Sequence, residues 1–138
     1  MKKHLLYTIV FAFILGINVF AQEIILPDQV FTIKVTEINA NGSINSMPPD
    51  ELTLKANRIS TKFSIKNGFT VVPYTVTQQG APNSHLLDFT AESSNSSKDI
   101  LKWTGTINGT SVSGKAQRIR NGKPGGEYTF TGTLKKKK

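Results

Sequence analysis

The sequence predicts an all-β protein, an eight-stranded antiparallel up-and-down barrel, with an open β-sandwich as the alternative. Three observations point there. Apolar and polar residues alternate from Gln29 onward, Asn-Gly dipeptides punctuate the alternation, and three late runs carry a glycine on their apolar face. A period of two marks a strand with one buried face, and no window sustains a 3.6-residue period, so no long helix is expected. Many short strands with regular turn signals belong to sandwiches and barrels.

Taken in order, the expected strands span residues 29–38, 51–56, 59–66, 69–78, 85–92, 99–107, 110–119 and 127–135. Asn67-Gly68 and Asn108-Gly109 each sit between alternating runs. A type I′ hairpin turn needs positive φ at both central residues, and this dipeptide tolerates that best. A two-residue loop at Asn108-Gly109 sets Ile107 opposite Thr110, Gly105 opposite Val112, Trp103 opposite Gly114 and Leu101 opposite Ala116. The same treatment of Asn67-Gly68 sets Phe63 opposite Val72, Thr61 opposite Tyr74 and Ile59 opposite Val76. Both hairpins then have one apolar and one polar face, which a one-residue slip would destroy. Gly105, Gly114 and Gly132 on the apolar face suit a sheet that bends hard enough to close, and leave room for Trp103 to lie across Gly114. The connections 40–49, 93–97 and 121–126 are polar loops rich in Asn, Ser, Gly and Pro.

The first residues read differently. Lys2 and Lys3 precede an apolar run over 5–20, and Val19-Phe20-Ala21 stands just before Gln22. A charged start, a short apolar stretch and a small residue at the cleavage point make a signal peptide over 1–21. The run falls short of the ~20 apolar residues that span a bilayer. Cleavage after Ala21 leaves 117 of the 138 residues: a single barrel domain over 22–134 and a basic tail over 135–138. The chain has no cysteine, which excludes a thiol-linked lipid anchor and disulfides, so the fold must rest on buried apolar surface. A chain of this length buries about two-thirds of its unfolded surface, enough for one core.

The formal charge of +8 does not describe the folded body. Two positive charges lie in the leader and four in the tail. Residues 22–134 hold 11 basic and 9 acidic side chains, a net of +2. No basic stripe suited to phosphates is evident, and no nucleic-acid partner is expected.

Chemistry is sparsely supplied. His85 is the only histidine after cleavage, and neither a transition-metal site nor a Ser-His arrangement can be assembled around it. Asp88 and Glu92 share the outward face of one strand, while Asp50, Glu51 and Asp99 begin strands. No enzyme activity, metal or cofactor is expected from this inventory. The aromatics Phe63, Tyr74, Phe89, Trp103, Tyr128 and Phe130 fall on inward parities and form the candidate core. Arg118 is the exception, an arginine that follows Val112, Gly114 and Ala116 on an apolar face. Pairing Gly114 with Gly132 would bring it opposite Tyr128. Arg118, Tyr128, Trp103 and Tyr74 are therefore the candidate ligand-binding residues, with the arginine holding an anionic head group at the mouth of an apolar cavity.

One further signal is similarity. The stretch from Lys62 to Leu134, more than half of the mature chain, carries Asn67-Gly68-Phe69, Pro73-Tyr74, Leu87-Asp88-Phe89, Trp103-Thr104-Gly105 running into Asn108-Gly109, and the closing Tyr128-Thr129-Phe130-Thr131-Gly132-Thr133-Leu134. This pattern resembles a group of small exported bacterial lipocalin-like barrels of unassigned function. The resemblance implies a barrel fold and supplies no catalytic residue. The expectation is an exported bacterial protein, periplasmic or extracellular, that binds an apolar or amphiphilic small molecule. The alternative is an interaction protein, such as an inhibitor of an extracytoplasmic enzyme.

Overall fold

A computed structural model describes residues 24–80 and 85–137. The expected signal peptide lies outside the described residues. The elements are β1 (Gln29–Ile38), β2 (Ile44–Ser46), β3 (Asp50–Lys55), β4 (Arg58–Thr61), α1 (Lys62–Lys66), β5 (Val72–Pro73), β6 (Thr75–Gln78), β7 (Leu86–Ser94), β8 (Ile100–Asn108), β9 (Ser111–Arg120) and β10 (Lys123–Leu134). All pairings are antiparallel, in the order β5-β4-β3-β1-β10-β9-β8-β7-β6, with β2 added to β1. The two ends of this sheet, β5 and β6, are consecutive in the chain with only Tyr74 between them. The sheet therefore curls almost onto itself as a nearly closed barrel.

Among the described residues ten strands are hydrogen-bonded where eight were expected, for two physical reasons. The run over 69–78 breaks at Tyr74, whose backbone N–H turns to the Asn57 carbonyl at 3.3 Å. The loop over 40–49 contributes a short strand, because Thr36, Glu37 and Ile38 have a free edge beyond the Ile33–Asp50 pair.

The hairpins correct the expected registers. At Asn108-Gly109 the loop is Gly109-Thr110, so Ile107 pairs with Val112, Gly105 with Gly114, and Trp103 with Ala116. Only Gly109 there has positive φ, at 59°, and a turn with glycine first needs no left-handed asparagine. The shift is two residues, so the faces are those expected but Trp103 does not lie across Gly114. On the other side Gly114 pairs with Phe130 and Gly132 with Val112, which places Arg118 opposite Gly126 rather than Tyr128. The Asn-Gly turn with positive φ at both residues is Asn121-Gly122, at 51° and 74°, between Arg120 and Lys123; Ala56-Asn57, at 50° and 59°, makes the same kind of turn between Lys55 and Arg58. β10 consequently starts four residues earlier than expected. Pro124 is accommodated because β10 meets β1 only from Glu127 onward, so the missing N–H interrupts no ladder there.

Asn67-Gly68 is not a hairpin at all. Residues 62–66 form one helical turn, and Ile59 pairs with Val72 instead of Val76. Asp50 explains the turn. Its carboxylate accepts from the Lys62 and Phe63 N–H groups at 3.1 Å each, while the Thr61 hydroxyl accepts from Ser64 N–H at 3.0 Å and the Ser64 hydroxyl accepts from Thr61 N–H at 2.9 Å. The first N–H groups of the helix are thereby satisfied. Gly68, at φ 77°, ends it by donating to the Ile65 carbonyl at 3.0 Å.

The core is the interior of this sheet. Phe31, Leu52, Leu54 and Leu101 are fully buried, and Phe89, Trp103, Tyr128 and Phe130 are nearly so, while Phe63 and Tyr74 pack against them partly buried. The inward glycines make room for rings: Phe89 fills the space beside Gly105, and the Phe130 edge that beside Gly114.

Candidate functional site

A cavity of about 470 Å³ lies within the sheet. Its apolar walls come from four strands and the segment before β3: Ile33 and Val35 of β1, Leu101 and Trp103 of β8, Ala116 of β9, Tyr128 and Phe130 of β10, and Met47, Pro48 and Pro49. The register explains why space remains there. Trp103 faces Ala116 across the strands, and Tyr128 faces Ala116 from the other side, so one methyl group lies between two large rings. The rings hold each other in place: Trp103 meets Phe130 edge-on at 6.3 Å, and Tyr128 meets Phe63 at 4.9 Å.

The opening is set by the 47–49 segment and by α1. Between the Thr36–Ser46 and Ile33–Asp50 pairs, Met47-Pro48-Pro49 bows off the edge of β1, held by Met47 N–H donating to the Val35 carbonyl at 3.0 Å. Two prolines cannot donate to a ladder, which keeps this stretch from closing down on β1. Pro48, Pro49, Lys62 and Lys66 line the cavity and are exposed, so they mark its mouth, whereas Ile33, Leu101, Trp103, Ala116 and Phe130 are buried and mark its floor. The polar lining is one-sided: Asp50, Thr61, Lys62, Lys66 and Asn67 all belong to the start of β3 and to α1 with its caps.

Of the four residues singled out from sequence, Trp103 and Tyr128 line this cavity, while Arg118 and Tyr74 are not among its lining residues. Arg118 has a partner that sequence reasoning missed. Its Nε and Nη2 donate to Asp99 Oδ2 at 3.1 and 2.7 Å, its guanidinium lies 5.4 Å from the centre of the Phe69 ring, and Arg120 Nε approaches the same carboxylate oxygen at 3.4 Å. Both side chains of the Arg118–Asp99 pair are about nine-tenths buried. Burial alone pulls the Arg118 pKa down, but its bonds to Asp99 and to the Tyr128 hydroxyl outweigh that and raise it, so the group is firmly charged. Tyr128 is itself raised above its ordinary 10.0, chiefly by burial, with Glu37 adding to the rise and Arg118 opposing it. Arg118 thus stands behind the cavity wall, bonded to the Tyr128 hydroxyl and paired across the strands with Leu101. The signal that reveals Asp99 is parity: it shares the inward face of Leu101 and Trp103, and Leu101 pairs with Arg118.

Tyr74 sits at the break between β5 and β6, its pKa raised by burial and then by Asp28. His85 is exposed just before β7, and Asp88 accepts from Gln79 and Thr106 on the outward face. Among the described residues no three of His, Cys, Asp and Glu converge, and no helix is long and apolar enough to cross a membrane. Comparison with protein-family models, with curated proteins and with solved structures finds no match.

Proposed function

We propose that this chain is an exported binding protein whose barrel takes one apolar or amphiphilic small molecule into the cavity between Trp103, Ala116 and Tyr128. The observation that carries the reading is the cavity itself. About 470 Å³ falls in the range of small-molecule sites, and its apolar floor with a polar sector at the mouth matches a molecule with one greasy and one polar end. A well-packed interior leaves few voids larger than a water molecule, so a space of this size in a small domain asks for an occupant. Counting β5 and β6 as one strand interrupted at Tyr74, and β2 as an accessory, gives the eight-stranded up-and-down barrel of lipocalin type that we propose as the architecture. Export rests on the leader over 1–21, and bacterial origin on that leader with the absence of cysteine. The engagement of Asp99 by Arg118 supports binding over catalysis, since it commits that carboxylate to the guanidinium.

A second reading, an interaction protein acting on an extracytoplasmic enzyme, draws on the exposed Ile44 and Ile65, at 70% and 57% exposure. Isolated apolar residues are ordinary on protein surfaces, which places this reading second. Native mass spectrometry of protein purified from its own host separates the two. A retained small molecule, lost when Ala116→Phe fills the cavity, is the expected result. A bare chain carrying a bound protein would overturn the ligand reading in favour of the second.

A further inference from the structure

We infer that the polar pole of the cavity is Lys66, and that it selects ligands with an anionic head group, of which long-chain carboxylates are the simplest class. The inference rests on the binding reading above and adds to it a head-group charge and the residue that meets it.

Most polar side chains at the mouth are already committed within the fold. Asp50 is spent: its carboxylate accepts from the backbone N–H groups of Glu51, Lys62 and Phe63. Thr61 is spent, since its hydroxyl caps Ser64 N–H. The Asn67 side chain donates to the Phe63 carbonyl at 2.8 Å. Lys62 pairs with Glu51 at 3.2 Å. Lys66 remains, lining the cavity one helical turn beyond Lys62, with no acidic partner among the described residues. A ligand whose tail fills the floor between Trp103 and Ala116 therefore brings its head to a mouth whose one uncommitted charge is positive. A neutral head gains no charge-assisted bond there, and a cationic head meets two ammonium groups.

Arg118 does not fill this role, because Asp99 already neutralises it behind the wall. The geometry of α1 decides the matter. A hairpin at Asn67-Gly68 would have carried Lys66 along a strand, whereas the turn capped by Asp50 and Thr61 holds it over the opening.

The test compares dodecanoate with 1-dodecanol by calorimetric titration, each kept below its aggregation concentration, on the parent, Lys66→Gln and Lys62→Gln. The parent should bind the carboxylate about tenfold more tightly than the alcohol, a preference between that of an exposed ion pair and that of a sheltered charge-assisted bond. Lys66→Gln should abolish the preference and leave alcohol binding unchanged, and Lys62→Gln should keep it. Both variants lie on an exposed surface, and unchanged denaturation midpoints will show that they fold. Equal binding of the two probes by the parent, or an equal loss of preference in both variants, would overturn the role of Lys66 while leaving the cavity reading intact. No binding of either probe would overturn both.

Discussion

Gly114 shows how little slack the floor of the barrel has. A Cβ there would lie 2.2 Å from the Thr104 carbonyl oxygen, 2.6 Å from Gly105 Cα and 2.9 Å from Phe130 Cζ. Two of these neighbours are backbone and cannot rotate away. Gly114→Ala should therefore cost about 3 kcal/mol, the upper end of overpacking, read from denaturant midpoints. A change within ~0.5 kcal/mol, typical of surface positions, would contradict the paired-glycine register. Arg118 carries a second test. Removing one member of a buried ion pair strands the other, so Asp99→Ala and Arg118→Ala should each destabilise by about 2–4 kcal/mol. The double variant should fall well short of their sum, which a double-mutant cycle measures. That Arg118 needed a partner was legible in its inward parity. That the partner was Asp99 was not, because an acidic residue opening a strand looks like a solvated end until the neighbouring register is known.

At the scale of elements, three of the chain's four Asn-Gly dipeptides play different parts. Asn121-Gly122 makes the tight turn with two left-handed residues, Asn108-Gly109 gives only its glycine to the loop, and Asn67-Gly68 closes a helix. For Asn67-Gly68 the choice is made by a partner remote in sequence, Asp50, which turn chemistry alone does not reveal. Alternation through Ile59, Thr61, Phe63 and Ile65 suggested a strand, yet five residues are too few to reveal a helical period, and Ile65 emerges exposed. The short helix depends on its caps. Thr61→Ala should cost about 1 kcal/mol, as N-cap removals do, and Thr61→Ser much less. Equal stability of parent and Thr61→Ala would mean that packing rather than capping holds this turn. The strands from β7 to β10 were read with the correct faces because both sides of each hairpin keep strict alternation. There a register error of two residues moves partners without moving any side chain from core to solvent.

Taken whole, the molecule is a meander whose last long strand returns to its first. β10 pairs with β1 along eight residues, and Lys135 continues the contact, donating its backbone N–H to the Val30 carbonyl and its ammonium to Glu51 at 2.6 Å. Glu51 thus links the C-terminal tail, β3 and Lys62. Its bonds to Lys135 and Lys62 hold its pKa below the ordinary 4.5, and bonds from Gln79 and Thr106 hold Asp88 below 3.8. A carboxylate with a depressed folded pKa contributes stability above its unfolded value and loses it as pH falls through the folded one. Tyr128 and Tyr74 act at the other end: raised above 10.0, they favour the folded state below that pH and cease to do so as pH rises through their folded values. The denaturant midpoint should accordingly be flat through neutrality, fall on acidification below about pH 4 and fall again above about pH 10, and Glu51→Gln should soften only the acid limb. The barrel and its inward aromatics were visible in composition and parity, whereas the mouth depends on α1 and on the bowed prolines, which no local pattern announces. Trp103 is the chain's single tryptophan and lies on the cavity floor beside Ala116, so its emission reports directly on occupancy. Titration with dodecanoate should give a saturable shift or quench of Trp103 fluorescence in the parent and none in Ala116→Phe, whose ring occupies the same space. No response in the parent, or an undiminished one in Ala116→Phe, would contradict a ligand-sized cavity between these strands.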